Sequence, residues 1–318
     1  MNYYPIKTLF FLFIISLSIA CNAKSKKIVV GFYNVENLFD TIHDDRKNDY
    51  EYLPDGKKEW NSDKYIDKLK NISRAILAMN DWQGPDIIGL CEIENRQVLE
   101  DLIKYTQLKE QNYRICHFSS PDPRGIDVGL LYKHKVLYHL SDTAISLQTR
   151  TRNIHRSDFI YKKDTLSFYV NHWSSRRGGE EKSAPKRARA ASILKADLLN
   201  HPDYLQVIMG DFNDSPFDNS IQNIANFYCD KDSSYYNTSC LCEGTLKYLK
   251  EWHNFDQIIV NHKLLRKNPK VEMQRLEKEW LFEEDKRYGG LKPLRSHSNQ
   301  KHQSGFSDHL PVYITLKL

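Results

Sequence analysis

Six short strings in this sequence set acids, amides and imidazoles where chemistry can be done: Asn34-Val35-Glu36-Asn37, Glu92-Ile93-Glu94-Asn95, Asn171-His172-Trp173, Gly210-Asp211-Phe212-Asn213-Asp214, Asp256, and Ser307-Asp308-His309. Each follows or opens an apolar run that reads as a strand. Groups held at strand ends are aimed by a rigid sheet, while the loops beyond them admit a substrate. Taken singly, an Asp or Asn there is more often a turn or cap residue than a catalyst. Together the set has a chemical sense. Glu92, Asp308 and Asn34 are hard oxygen donors, which suit Mg2+ or Mn2+ better than Zn2+. Asp211 and Asn213 share one tight turn, and His172 and His309 supply imidazoles. A divalent ion, a carboxylate beside a water and an imidazole to hold or move a proton are the parts of metal-assisted hydrolysis.

The elements that must position these groups are legible in outline. Strands are predicted over Lys27–Tyr33, Asp86–Cys91, Tyr113–Phe118, Val128–Tyr132, Leu166–His172, Leu205–Gly210, Gln257–Val260 and Val312–Leu316. Several are apolar at successive positions, the mark of strands covered on both faces. Helices are predicted over Asp63–Met79, Arg96–Lys109 and Pro185–Asn200. Pro185 suits a first turn, and Ala191, Leu194 and Leu198 share a face. No repeat and no Pro/Ser-rich linker divides the chain. The mixed order favours one α/β (α+β) domain over 27–318, built of two packed sheets.

The ordered strings Asn-Val-Glu-Asn, Leu-Cys-Glu, Asn-His-Trp, Gly-Asp-Phe-Asn, Phe-Asp-Gln-Ile and Ser-Asp-His-Leu-Pro resemble the endonuclease/exonuclease/phosphatase superfamily, which includes deoxyribonuclease I and exonuclease III. The resemblance runs over nearly the whole of Lys27–Leu318. It implies a deoxyribonuclease I-like four-layer sandwich, two mixed β-sheets face to face with helices outside, and metal-dependent cleavage of a phosphoester. By the same resemblance Asn34, Glu92 and Asp308 bind or surround the metal, Mg2+ or Mn2+. Asp211 and Asn213 position the attacking water and the phosphate, Asp256 orients His309, and His172 is a second catalytic histidine. The sequence departs from the commoner pattern at Cys91, where Gln usually stands; along a strand that side chain should point away from the metal.

Substrate choice rests on weaker signals. Arg176, Arg177, Lys182, Lys186, Arg187 and Arg189 surround the helix after His172, opposed by Glu180 and Glu181. Such a strip would suit the flanking phosphates of DNA or RNA, with Arg176 and Arg177 as contacts. Trp173 is a candidate for stacking on a base, although a Trp beside a strand end is more often core. The Asn-His-aromatic-x-Ser-basic segment also resembles secreted bacterial nucleases of the superfamily. The basic, Gly-containing stretch Lys286–His302 leads into Asp308 and is a candidate substrate loop, while Asp40–Glu59 reads as a solvated loop. A lipid or small phosphoester, as for sphingomyelinases or phosphoinositide phosphatases, is the alternative substrate, and a non-catalytic binding protein a remoter one.

Composition fits an exported globular protein. The chain has 318 residues, 40% hydrophobic, 27% charged and with a net charge of +5. That excludes both a polytopic membrane protein and a disordered chain. Lys7 and the apolar run from Thr8 to Ala20 read as a signal peptide over residues 1–20, and Cys21 after Ser18-Ile19-Ala20 resembles a lipoprotein cleavage site. A lipid at Cys21 would be the one membrane link; periplasmic and secreted forms are the other readings, and no obligate protein partner is expected. Among the cysteines, Cys91 and Cys116 read as buried thiols, and Cys229 could pair with Cys240 or Cys242 in an oxidising compartment. Zinc at those three lacks a fourth ligand.

Overall fold

Runs such as Ile28-Val29-Val30 and Ile87-Ile88-Gly89-Leu90-Cys91 leave no polar face, so strands built from them need cover on both sides. In the computed structural model, which describes residues 27–224, 231–298 and 301–318, a second sheet covers one side and helices the other. The first sheet runs, edge to edge, through β13 (Gln274–Arg275), β18 (Val312–Lys317), β1 (Lys27–Leu38), β2 (Ile87–Ile93), β4 (Asp127–Lys133) and β3 (Tyr113–His117). The second runs through β5 (Tyr138–Ile145), β6 (Ile154–Tyr161), β7 (Asp164–His172), β8 (Leu205–Asp211), β12 (Asp256–Asn261) and β9 (Tyr235–Asn237). β1 pairs parallel with β2, and β7 with β8; the other ladders are antiparallel, so both sheets are mixed. Three short ribbons complete the strands: β10 (Leu246–Tyr248) with β11 (Glu251–His253), β14 (Phe282–Glu284) with β15 (Leu291–Pro293), and β16 (His297–Ser298) with β17 (Lys301–His302).

Between the sheets, Val30, Phe32, Cys91 and Leu130 pack in one core with Phe168, Val170, Met209 and Ile258. Helices α1 (Ser62–Ala78) and α2 (Arg96–Lys104) close the outer face of the first sheet, where Leu69, Ile72, Ile76 and Leu102 meet Tyr33, Leu90 and Leu131. Helix α3 (Glu180–Asn200) closes the second, with Ala191, Leu194 and Leu198 packed with Tyr169, Ile208 and Ile259. This is the four-layer sandwich the sequence implies. The leader expected over residues 1–20, Cys21 and Cys229 lie outside the described residues. Among the described residues no helix is long and apolar enough to cross a membrane. Cys240 is disulfide-bonded, whereas Cys242, Cys91 and Cys116 are free thiols.

All eight predicted strands and all three helices are present, with three differences. The second helix stops at Lys104 and gives way to a 3-10 turn over Gln107–Gln111. Thr106 causes the break, its Oγ1 donating back to the Leu102 carbonyl at 2.5 Å and accepting from the Leu108 N–H at 3.2 Å. Helix α3 starts at Glu180, so Pro185 lies inside it rather than in its first turn. The β5–β6 hairpin was not foreseen; a register slip between His139 and Ser141 spoils the alternation that would have revealed it.

Register places the site. On the second sheet His172 stands opposite Asp211, and Asp211 opposite Asp256, so one row carries three of the foreseen residues. Gly210 permits that row: a Cβ there would meet the Asn171 carbonyl oxygen at 2.5 Å. On the first sheet Asn34 stands opposite Cys91, and the ladders slip immediately beyond, between Asn34 and Leu38 and between Cys91 and Ile93. Glu36, Asn37 and Glu92 sit in the slipped segments with φ of 51°, 54° and 61°. Left-handed backbone costs a non-glycine residue on the order of 1 kcal/mol and tends to gather where function demands a particular aim.

Candidate active site

His309 descends onto the His172, Asp211, Asp256 row from the turn before β18. Its Nδ1 lies 2.7 Å from Asp256 Oδ2, and its Nε2 3.9 Å from Asp211 Oδ2. Ser307 shapes that turn: its Oγ donates to the Asn34 carbonyl at 2.7 Å and accepts from the His309 N–H at 3.1 Å. Burial alone would strip His309 of its proton. The Asp256 charge and hydrogen bond, helped by Asp211 and Asp308, instead hold it well above the ordinary imidazole range, so His309 is a cation. His172 is buried with no such partner; burial, then Arg152 and Arg124, push it well below that range and leave it neutral. Its Nε2 is 3.7 Å from both Glu92 Oε1 and Asp211 Oδ2, and its buried Nδ1 has no hydrogen-bond partner among the described residues.

Glu92 faces this row from the first sheet, turned by the slip in β2. Its Oε2 accepts from the Asn37 N–H at 3.0 Å. Its Oε1 lies 3.5 Å from Asn34 Nδ2, which also donates to Asp211 Oδ2 at 3.0 Å. The Asn34 amide thus bridges carboxylates from the two sheets. Cys91 is buried in the core between the sheets. Burial raises Asp211 to about 7, with Asp256 and Glu92 adding to the rise and His309 opposing it. Acids crowded into a largely buried site are the setting a divalent cation neutralises, and oxygen donors from Glu92, Asn34, Asp211 and Asp308 fit a hard one. Asp211, Asp256 and His309 also offer ligand atoms within 4.8 Å of one another.

A partly buried ion cluster beside these residues escaped sequence reasoning. Glu36 Oε1 accepts from Arg295 Nε at 2.8 Å and Nη2 at 2.5 Å, and the same Nη2 lies 3.1 Å from Asp308 Oδ2. Arg295 thereby fixes Asp308, whose Oδ1 is 4.0 Å from His309 Nε2. Lys68, reaching across from α1, donates to Ser296 Oγ and to the Phe306 carbonyl, each at 2.8 Å. Burial pushes Glu36 up to about 7 and Lys68 down to about 8. One signal was available: Lys68 shares the apolar stripe of α1 with Ile72, Ala75 and Ile76, and a charge on such a stripe needs a partner. Thr245 was also missed; its Oγ1 donates to Asp256 Oδ2.

Several expected substrate contacts are corrected. Trp173 is 1% exposed, packs edge-on against Phe212 and donates from Nε1 to Asn171 Oδ1, so it offers no face to a base. Arg176 is engaged by Asp214, Asp218 and Glu180, and Arg187 is buried against Asp214 and Glu180. The strip therefore reduces to Arg177, Lys182, Lys186 and Arg189, all exposed, the last donating to Gln148 Oε1 at 2.7 Å. Asn213 donates from Nδ2 to the Trp173 carbonyl at 3.1 Å and from its N–H to Asp211 Oδ1 at 3.0 Å, which fixes the turn instead of reaching for a phosphate. Within Lys286–His302 the described residues fold into β15, β16 and β17 and deliver Arg295 to the site. The 40–59 segment is packed more closely than a solvated loop: Tyr52 stacks on Phe39 at 4.3 Å, and Asp49 is buried.

A model of the Endonuclease/Exonuclease/phosphatase family matches residues 29–318. The chain belongs to that family. Its members hydrolyse phosphoric esters and generally use divalent metals. D. rerio TDP2 complexed with a single-strand DNA product shares the fold at a TM-score of 0.57 and 14% identity, covering 92% of this chain and 99% of that one. An endonuclease/exonuclease/phosphatase family protein from Bacteroides thetaiotaomicron gives 0.58 at 14%, covering 92% and 98%. The mannosyl-6-phosphatase of the same organism gives 0.53 at 13%, covering 90% and 98%. No curated protein sequence matches the chain. Identities this low carry the family's fold and leave substrate to the site itself.

Proposed function

We propose that this protein is an exported phosphodiesterase that hydrolyses DNA or RNA with Mg2+ or Mn2+. The observation that carries the reaction type is the placement of His309, 2.7 Å from Asp256 and 3.9 Å from a buried Asp211. Hydrolysis of a phosphodiester needs charge stabilised on nonbridging oxygens, a water aimed in line and a proton for the leaving alkoxide. Glu92, Asn34 and Asp308 would hold the divalent ion, which supplies charge neutralisation. Asp211 orients the water or takes its proton. His309 stabilises the transition-state charge or protonates the leaving group, and neutral His172 donates or accepts a hydrogen bond beside Glu92 and Asp211. Asn213 keeps Asp211 in place.

A nucleic acid substrate is supported by the exposed Arg177, Lys182, Lys186 and Arg189 along the loop after His172 and the start of α3, and by the DNA product bound in the fold relative. A second reading, a phosphatase or phosphodiesterase of small molecules, is favoured by one feature. A cavity of about 190 Å3 opens beside Glu36 and Asn37 and is lined by Lys58, Trp60, Arg295 and His297. It has room for one phosphorylated group rather than a strand.

Purified protein assayed with Mg2+ or Mn2+, with and without EDTA, on plasmid DNA, RNA, sphingomyelin, a phosphoinositide and a hexose phosphate decides between them. Chelator-sensitive cleavage of nucleic acid is expected. Intact nucleic acid with turnover of a lipid or sugar ester overturns the nuclease reading, and no turnover on any substrate identifies a binding protein.

A further inference from the structure

At the edge of the sandwich formed by β3 and β5, away in strand order from β12 and β18, four other side chains gather. Cys116 lies on β3, the edge strand of the first sheet; His139 and Asp142 lie on β5, the edge strand of the second, and His155 on β6 beside it. In a regular strand, residues three apart face opposite sides. Here the slip between His139 and Ser141 changes that: His139 pairs with Phe159 and Asp142 with Ser157, two positions apart on β6. The bulge therefore turns both side chains to the same face as Phe159, a residue of the inter-sheet core that also holds Cys116. Bulges commonly re-aim a side chain in this way.

The ligand atoms of Cys116, His139 and Asp142 all lie within 4.8 Å of one another. His139 Nε2 is 3.0 Å from Asp142 Oδ2 yet forms no hydrogen bond in bonding geometry. His155 Nε2 lies 3.4 Å from Asp142 Oδ1 and 2.9 Å from Ser157 Oγ, and Ser157 Oγ donates to the same carboxylate oxygen at 2.6 Å. Donors bonded to one tetrahedral ion at about 2.0–2.3 Å sit roughly 3.5 Å apart, a spacing the His139–Asp142 and His155–Asp142 pairs approach. A thiol, two imidazoles and a carboxylate are too soft a set for Mg2+ or Ca2+ and match zinc. Thiolate and carboxylate together balance its two charges. Cys116 and His155 are buried, while His139 and Asp142 are partly exposed and leave a way in.

We propose that Cys116, His139, Asp142 and His155 bind one Zn2+ that clips the edge strands of the two sheets together. Binding forms the sulfur–zinc bond, releases the Cys116 proton to solvent, moves the His155 proton from Nε2 to Nδ1 and exchanges the Nε2 contact with Ser157 for the ion. The site is structural and separate from the hydrolytic centre.

The test is the metal content of protein purified without chelator from zinc-supplemented medium. About one zinc per chain is expected in wild type and in Asp211→Asn, and near none in Cys116→Ser or in His139→Gln, whose more exposed position spares the core. Removing zinc should lower the wild-type melting temperature to that of His139→Gln. Cobalt in place of zinc should give wild type a sulfur-to-metal absorption band that Cys116→Ser lacks. Zinc-free wild type, zinc retained in both edge variants, or zinc lost in Asp211→Asn would overturn the proposal. Phosphoester hydrolysis is read separately, in Mg2+, and stands or falls on its own.

Discussion

At the scale of single residues, Asp256 governs the protonation of the candidate site. Its Oδ2 accepts from His309 Nδ1 at 2.7 Å and from Thr245 Oγ1, while its buried Oδ1 has no hydrogen-bond partner among the described residues. Exchanging the carboxylate for an amide keeps its shape and removes the charge that holds a proton on His309 against burial. Asp256→Asn should therefore cost about 10²–10⁴-fold in turnover, the usual worth of a positioned acid or base, with little change in melting temperature. The pH profile separates this from a packing defect. In wild type, activity should rise through about pH 7 as Asp211, held there chiefly by burial, loses its proton, and should persist on the alkaline side while His309 stays charged. Added metal, by favouring the ionised Asp211, should draw the rising limb to lower pH. In Asp256→Asn a falling limb should enter near neutrality. A variant with reduced rate but the wild-type profile would remove Asp256 from this role.

At the scale of elements, the ends of β1 and β2 are joined by Glu94. Its N–H donates to the Leu38 carbonyl at 3.0 Å, and its Oε2 accepts from the Asp40 N–H at 2.7 Å. Burial, opposed by that N–H and assisted by the charges of Asp40, Asp49 and Asp44, raises the carboxyl to about 8. A carboxyl whose pKa is raised by folding keeps a proton that the unfolded chain has lost. Its contribution to stability is whole below the unfolded value, about 4.3, and is lost as pH rises through about 8. At about 1.4 kcal/mol per unit, the loss amounts to a few kcal/mol. Urea titrations should show wild type weakening across that window and Glu94→Gln changing much less; parallel curves would show that Glu94 is not the cause. The same junction shows what sequence can and cannot reveal. Both strands were legible because their apolar runs need cover on both faces, and Asn34, Glu92 and Asp211 because they end such runs. The bulges that give Glu36, Asn37 and Glu92 positive φ were not, since their backbone is set by pairing between strands more than 50 residues apart. Arg295 and Lys68 were hidden for a related reason: their partners come from β1 and from the turn before β18. Trp173 could not be placed until Phe212 was packed beside it.

At the scale of the whole molecule, a net charge of +5 overstates the positive surface available to a polyanion. Arg152 is committed to Asp122, Arg187 to Asp214 and Glu180, and Arg295 to Glu36 and Asp308. Along the loop after His172 and the start of α3, Arg177, Lys182, Lys186 and Arg189 remain exposed. Each phosphate neutralised on duplex DNA contributes about −0.9 to the slope of log affinity against log salt, and about −0.7 on a single strand. Four contacts therefore call for a slope in log(kcat/KM) of roughly −3 to −4, short of the value for six cations. Arg177→Ala should flatten the slope by about 0.7–0.9 and leave the rate on a small phosphodiester unchanged. A slope near zero on DNA would mean that no strand lies along α3 and would favour the cavity between Lys58 and Arg295 as the substrate's seat. A steep slope unaffected by Arg177→Ala would keep the polymer and move its path to another face. The salt series thus distinguishes a grip on flanking phosphates from capture of a single phosphorylated group, which charge composition leaves unresolved.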